Sequence, residues 1–235
     1  MMYKKIWVFG KPYSGKSSLV AQAPGHFIFN TDGNAQYCTD SYKLLVDEVV
    51  QEGRKSAERK YAWEFFEEYI EKLENLGRQG KFPYQVVALD LVEDAYAMCR
   101  EYMCTKVLHI SHESDDNLRA WDKVRGRFFA VMRRFVNLPC DIVLISHEDD
   151  TRDLLGRNGD KITAIKPNIQ PKVADKLAGM VAVTGRVAVI NGQYLLQVKT
   201  DESMFGGARC RIHNVKLPLD WESVEKTFEN FGTRE

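Results

Sequence analysis

The chain has 235 residues, of which 44% are hydrophobic and 28% charged, values typical of a globular protein and not of a disordered one. Basic and acidic residues both number 33, so the zero net charge excludes a general attraction to nucleic acid, which would need a local patch. No apolar run approaches the roughly 20 residues of a membrane span, and five scattered cysteines suit reduced thiols, so we expect a cytoplasmic protein.

The first predicted elements are a strand, a loop and a helix. Residues 1–5 lead into an apolar strand at 6–9 and show no signal-peptide pattern. The loop that follows has the pattern G-x-x-x-x-G-K-[ST], and residues 18–23 open a helix. Between a strand and a helix, this pattern predicts a phosphate-binding loop, because its glycines let the backbone wrap phosphates and the helix N-terminus supplies N–H groups.

This loop predicts the binding of a nucleoside triphosphate. Lys16 would reach the β- and γ-phosphates, and the Ser17 hydroxyl would bind Mg²⁺. The residues predicted to contact the nucleotide are Gly10, Lys11, Pro12, Tyr13, Ser14, Gly15, Lys16, Ser17 and Ser18.

The rest of the chain alternates predicted strands and helices. The predicted strands are 26–30, 85–90, 140–146, 180–190 and 193–200, the last two joined by the hairpin signal Asn191-Gly192. Helical patterns cover 42–80, the segment from about 93 to 102, 118–137 and the tail at 217–235, and residues 149–168 are predicted as a polar loop with a short β-like stretch at 162–165. This order predicts an α/β fold with a mostly parallel sheet, flanking helices and a C-terminal antiparallel β-hairpin. We expect one domain over residues 1–235, with its core at about 4–200 and a tail at 201–235.

The strand that ends in Asp90 carries the second motif. Four apolar residues followed by an aspartate are typical of the strand whose carboxylate helps to hold Mg²⁺ beside a phosphate-binding loop. We therefore predict that Ser17 and Asp90 organise the metal. The alternative is that Asp90 only caps the helix that begins near Glu93.

A hydrolase also needs a group that orients or deprotonates the attacking water. The candidates are Asp32, Glu93 and Glu148. Asp32 ranks first because it follows the second strand, at the same carboxyl edge of the sheet as the phosphate-binding loop. Glu93 is predicted to turn away along its helix in a structural role, and His147, after the fourth strand, is predicted to sense the γ-phosphate.

In this order, the segments Gly10–Ser17, 27–33, 86–90 and 142–147 resemble the RecA-like P-loop ATPase core. More closely they resemble small phage-encoded nucleotide-binding AAA-type proteins, some of which are single-strand-annealing recombinases related to RecA. The resemblance covers about residues 4–200 and implies a Mg²⁺-dependent ATPase that acts on single-stranded DNA. In RecA-like proteins the second strand ends in a Thr-Glu-Gly-like segment, whereas this chain has the shorter Asp32 at that position.

Two segments are predicted to contact single-stranded DNA. The 119–134 helix interleaves basic residues with Trp121, Phe128 and Phe129, a composition that suits stacked bases and paired phosphates. The 148–172 segment matches the position of the DNA-contacting loop of RecA-like proteins. The alternative is an amphipathic helix whose aromatic residues face the sheet and whose arginines face water.

The resemblance also implies a homo-oligomer, a ring or a filament, with the nucleotide near the subunit interface. Lys199 or Arg209 would then touch the neighbour's γ-phosphate. Two other functions stay open: a nucleotide or small-molecule kinase, and a nucleotide-gated interaction module that does not hydrolyse, suggested by Asp32 in place of glutamate.

Overall fold

A mixed β-sheet with helices on both faces organises the molecule. The computed structural model describes residues 3–51, 57–112, 119–155, 161–198, 203–209 and 216–229. Within these ranges the strands are β1 (Lys5–Gly10), β2 (His26–Asn30), β3 (Tyr42–Leu44), β4 (Glu48–Val50), β5 (Glu58–Lys60), β6 (Val86–Asp90), β7 (Asp141–Leu155), β8 (Lys161–Pro167), β9 (Val183–Ile190), β10 (Gln193–Gln197), β11 (Gly207–Ala208) and β12 (Lys216–Pro218).

The helices alternate with these strands. They are α1 (Lys16–Ala21), α2 (Ala62–Arg78), α3 (Val92–Tyr102), α4 (Arg119–Phe135), α5 (Pro171–Ala178) and α6 (Trp221–Glu229), with a 3-10 turn at Asn34–Tyr37 and a π turn at Met103–Leu108. Helix α2 begins after Tyr61, whose N–H donates to the Glu64 carboxylate at 3.0 Å. Helix α5 begins with Pro171, a residue suited to the first helical position because that position needs no N–H donor.

The sheet order is β12-β10-β9-β1-β7-β6-β2-β3. The strands from β9 to β3 run parallel, whereas β10 is antiparallel to β9 and β12 is antiparallel to β10. Strand β11 pairs with β9, and β4 and β5 form a separate hairpin. The predicted α/β fold, with a mostly parallel sheet and an antiparallel C-terminal hairpin, is confirmed.

Both faces of the sheet are buried, since side chains along a strand point alternately to either face. On one face Trp7 and Phe29 pack with α2, α3, α4 and α5. On the other face Val8 and Ile28 pack with α1 and α6. The central strands consequently have almost continuously apolar sequences, and this made them predictable.

Two regions differ from the prediction. Residues 42–60 were predicted as part of a helical segment but contain β3, β4 and β5, and only Ala62–Arg78 is helical. Residues 149–168 were predicted as a polar loop with a short β-like stretch, but β7 continues to Leu155 and pairs with β8 as an antiparallel hairpin. Beyond His147, β7 pairs with β8 alone, and the residues at 148–153 are all polar, so this part lacks the apolar alternation by which strands are recognised.

The register of the parallel strands brings four segments to one edge. Gly10 of β1 lies opposite His147 of β7, and Asp90 of β6 lies opposite both Asn30 of β2 and Ile145 of β7. Loops that leave the carboxyl ends of these strands therefore meet, and ligands of open α/β sheets bind at this edge.

Candidate functional site

The loop between β1 and α1 has the backbone that its glycines predict. A Cβ atom on Gly10 would lie 2.3 Å from the Val187 carbonyl oxygen of β9, so only glycine fits there. Gly15 has a φ of 93°, in the left-handed region that favours glycine, directly before α1. The sequence thus folds into a tight strand–loop–helix unit at the edge of the sheet.

Two buried side chains of this loop, Lys16 and Ser14, are suited to binding an anion. Lys16 is 6% exposed, and its Nζ donates to the carbonyl oxygens of Gly10 at 2.9 Å and Lys11 at 2.8 Å. Burial lowers the Lys16 pKa, and nearby carboxylates, Asp90 first, oppose this. The Ser14 Oγ is buried and has no hydrogen-bond partner among the described residues. A buried, unpartnered hydroxyl beside a lysine fits a phosphate oxygen.

Ser17 and Asp90 meet at the start of α1. The Ser17 Oγ donates to the Asp90 Oδ2 at 2.5 Å, and Asp90 is only 3% exposed. Burial raises the Asp90 pKa to about 6, and the hydrogen bond from Ser17 only partly offsets this effect. The two predicted metal ligands are therefore side by side.

Asp32 lies just after β2, the strand that pairs with β6. Its Oδ1 accepts hydrogen bonds from the Asn30 Nδ2 at 2.8 Å and the Asn34 backbone N at 2.9 Å, and its Oδ2 accepts one from the Asn34 Nδ2 at 2.7 Å. Partial burial would raise the Asp32 pKa, but these hydrogen bonds outweigh it and hold the pKa below its ordinary value. Asp32 is therefore an ionised carboxylate with both oxygens engaged.

His147 lies where β7 leaves the parallel sheet. Its backbone N donates to the Glu93 Oε1 at 2.6 Å, and its Nδ1 lies 3.3 Å from the same oxygen. The prediction that Glu93 turns away along its helix is wrong, because the first turn of α3 aims its side chain at His147. Glu148 instead forms a two-pronged ion pair with Arg186 of β9, at 2.8 and 3.1 Å, and its side chain is 1% exposed.

These segments surround a cavity of about 830 Å³. Among the predicted site residues, those that line it are Pro12, Tyr13, Ser14, Gly15, Lys16, Ser17, Ser18, Asp32, Asp90 and His147. Gly10 and Lys11 contribute their carbonyl oxygens to Lys16 instead. The site predicted from four separate motifs is thus a single cavity, whereas the role of each residue stays a prediction.

A family model described as an AAA domain matches residues 2–210. The chain belongs to this AAA-domain family. No curated protein matches the chain. Membership in an AAA-type P-loop ATPase family agrees with the phosphate-binding loop and with the fold, and it makes nucleotide binding the common property of the matched region.

The sequence did not point to every residue of the AAA-domain cavity. Tyr194 of β10 and Leu219, just after β12, line it beside the phosphate-binding loop. An ideal Cβ on Gly15 would lie 2.9 Å from the Leu219 Cδ2 and 3.3 Å from the Tyr194 Cδ1. Tyr37 and Cys38, after β2, line the cavity as well. The Asn191-Gly192 signal predicted the hairpin that carries Tyr194 but not its position against α1.

The predicted DNA surface on α4 is wrong in part. Phe128 and Phe129 are 0% and 3% exposed and belong to the core, so these rings cannot stack on bases. Two arginines of α4 pair with glutamates of α2: Arg127 with Glu67 and Arg134 with Glu74. This arrangement is the alternative described above, in which the aromatic residues face the sheet.

Of the two predicted trans-acting cations, Lys199 and Arg209, only Arg209 lies among the described residues. Arg209 donates to the carbonyl oxygens of Gly179 at 2.5 Å and Val181 at 3.1 Å, close to the start of β9. Lys199 lies outside the described residues. Within the described ranges, no helix is both long and apolar enough to cross a membrane.

Proposed function

We propose that this AAA-domain protein binds ATP and hydrolyses it in a Mg²⁺-dependent reaction. The observation that carries the proposal is the convergence of Lys16, the unpartnered Ser14 hydroxyl and the Ser17–Asp90 pair in one cavity. Lys16 would leave the loop carbonyls for the phosphates, whose charge compensates a buried ammonium better than neutral oxygens do. Backbone N–H groups between Gly10 and Ser18, except at Pro12, would complete the cradle.

The donor atoms fit Mg²⁺. A hydroxyl and a carboxylate are hard oxygen ligands, and magnesium sites in phosphate-binding proteins use one or two such protein groups together with phosphate oxygens. When bound, Mg²⁺ neutralises charge on the phosphates. Ser17 and Asp90 would hold it, and Asp90 must then be ionised, although burial favours its protonated form.

Asp32 would position the attacking water. Its depressed pKa keeps it ionised at neutral pH, which suits it to orienting a water molecule by accepting a hydrogen bond. His147, on the cavity wall at the base of the β7–β8 hairpin, would sense the γ-phosphate and relay the nucleotide state to the hairpin.

One observation favours a second candidate, a nucleotide-gated module that does not hydrolyse. Both Asp32 oxygens already accept hydrogen bonds from Asn30 and Asn34, so a water molecule has to compete for their remaining lone pairs. Such a module binds ATP tightly without hydrolysing it, and its function depends on the conformation that bound ATP stabilises.

The wider biology we propose is recombination or annealing on single-stranded DNA, by a phage-encoded homo-oligomer with the nucleotide near a subunit interface. The support is the resemblance to RecA-like proteins and the β7–β8 hairpin, which begins directly after His147 and occupies most of the 148–172 segment. The α4 surface does not support this role, because its phenylalanines are in the core.

The test is ATP turnover with Mg²⁺, with and without single-stranded DNA, for the wild type and Lys16→Ala. We expect turnover that DNA stimulates and that falls about 100-fold or more in the variant, since one lost electrostatic contact to a reacting group has that effect. Turnover indifferent to DNA would contradict the DNA role. Tight ATP binding without turnover would select the non-hydrolysing module.

A further inference from the structure

A side chain of α3 contacts the backbone of His147, at the end of the parallel part of β7. Strand β6 ends at Asp90, opposite Ile145, and His147 lies two residues farther along β7, beyond the end of β6. The N–H of His147 donates instead to the Glu93 Oε1 at 2.6 Å. The His147 carbonyl oxygen accepts a hydrogen bond from the Asn168 N at 2.8 Å, just beyond β8. Glu93 therefore fixes the point where the cavity wall becomes the hairpin.

The next residue of α3, Asp94, holds the segment that leads into Asp32. The Thr31 Oγ1 donates to the Asp94 Oδ2 at 2.8 Å and accepts a hydrogen bond from the Leu91 N at 2.8 Å. The Thr31 N donates to the Asp90 carbonyl oxygen at 2.7 Å. Since Thr31 directly precedes Asp32, these contacts set where the Asp32 backbone leaves β2.

We propose that Glu93 and Asp94 are a pair of positioning residues, Glu93 for His147 and Asp94 for Asp32. Neighbouring residues of an α-helix point about 100° apart, so two successive carboxylates in the first turn of α3 reach two different segments beside one cavity, Glu93 the end of the parallel part of β7 and Asp94 the end of β2. Neither is among the described residues that line the cavity, so both act through the residues they hold. This inference rests on the roles proposed above for Asp32 and His147.

The environment of Glu93 argues against a purely structural role. Its side chain is 11% exposed, and its Oε2 is buried with no hydrogen-bond partner in the described part of the chain. A buried carboxylate oxygen without a partner is destabilising, and a glutamine would hold the His147 N–H without a buried charge. The same Glu93 oxygen also lies 3.3 Å from the His147 Nδ1, so this side chain holds both the backbone and the ring of His147.

The first test uses the nucleotide-free protein. We would record backbone amide NMR spectra of Glu93→Ala and Asp94→Ala, with Glu68→Gln, an exposed α2 residue paired with Lys60, as the control. We expect Glu93→Ala to move the His147 amide proton upfield and leave Asp32 in place, and Asp94→Ala to do the reverse. The proposal would be overturned if the His147 amide did not move in Glu93→Ala. It would also be overturned if the His147 and Asp32 amides shifted equally in both variants.

The second test separates positioning from binding. We expect each alanine variant to lower kcat about 10- to 100-fold with the ATP Kd unchanged, because misplaced groups affect the reaction more than ground-state binding. Glu93→Gln and Asp94→Asn keep an acceptor oxygen and should recover most of kcat, and they also serve if an alanine variant fails to fold. Equal losses in affinity and kcat would contradict the proposal. A wild type without turnover would count against hydrolysis only, since the amide spectra are measured without nucleotide.

Discussion

The two walls of the cavity are built by different physical means. On the phosphate side Ser14, Lys16 and Asp90 are 4%, 6% and 3% exposed, and burial governs their chemistry. The other lining residues considered, Asp32 and His147, form what we call the second wall: Asp32 is exposed, the His147 side chain is 32% exposed, and hydrogen bonds from neighbouring residues govern their positions. Under the roles proposed above, ATP binding and ATP hydrolysis depend on separable groups of residues.

The pKa values of two aspartates shift in opposite directions and illustrate this contrast. Burial raises the Asp90 pKa to about 6, whereas hydrogen bonds from Asn34 and Asn30 outweigh burial and lower the Asp32 pKa. Burial thus makes the ionised form of Asp90 costly in the nucleotide-free protein, whereas hydrogen bonds stabilise the ionised form of Asp32. In the proposed mechanism a bound cation would relieve the cost at Asp90, and Asp32 would orient water.

Among the variants that separate the two walls, Asp32→Asn should have the largest effect. An amide cannot accept a proton and presents a weaker acceptor, so we expect kcat for ATP to fall about 100-fold while the ATP Kd stays within twofold. Steady-state turnover and equilibrium binding of ATP measure the two quantities. If the Kd rose as much as kcat fell, the walls would not be separable, and if kcat were unchanged, another group would orient the water.

Each wall was predictable from the sequence to the extent that its contacts follow from a contiguous motif or from the ends of parallel strands. The phosphate-binding loop is contiguous, and Asp32, Asp90 and His147 follow buried parallel strands whose ends must share an edge, so their meeting was predictable. The contact of Glu93 with His147 depends on β6 ending two residues short of His147, a detail of register that no local pattern carries.

The remaining features were missed for two other physical reasons. Tyr194 reaches Gly15 across some 180 positions of sequence, and only the packing of the hairpin on α1 brings them together. The β7–β8 hairpin has no apolar alternation, because it pairs outside the parallel core. Basic and aromatic residues on α4 suggested DNA binding, whereas the acidic face of α2 that neutralises Arg127 and Arg134 lies about 60 residues earlier.

A smaller effect is expected on stability from Asp90→Asn. Since the folded protein binds a proton at Asp90 more tightly than the unfolded chain does, this residue's contribution to stability is greatest below pH 4 and is lost as the pH rises through about 6. Removing the charge should therefore stabilise the nucleotide-free protein by about 3 kcal/mol at pH 7.5 and by much less at pH 4. Urea unfolding in EDTA at the two pH values measures this.

Asp32→Asn is the matched comparison for that experiment. A depressed pKa contributes stability above the unfolded value, and this contribution is lost as the pH falls through the folded value, so Asp32→Asn should destabilise the protein at pH 7.5 and not at low pH. Effects of the same sign for both variants would remove the distinction between a wall set by burial and a wall set by hydrogen bonds.

The smallest expected effect concerns the rim, where Tyr194 is 52% exposed and its ring lines the cavity next to Gly15. A ring in this place can stack on a nucleobase, and a partly exposed stacking contact contributes about 1 kcal/mol. Tyr194→Ala should then weaken ATP binding about fivefold, Tyr194→Phe should not, and the affinity for inorganic triphosphate should stay the same in both. Tyr3→Ala, an exposed tyrosine on the chain before β1, is the control. Equal weakening for ATP and triphosphate would mean that Tyr194 supports the loop through Gly15 rather than the base, and the rim would then belong to the phosphate side of the cavity.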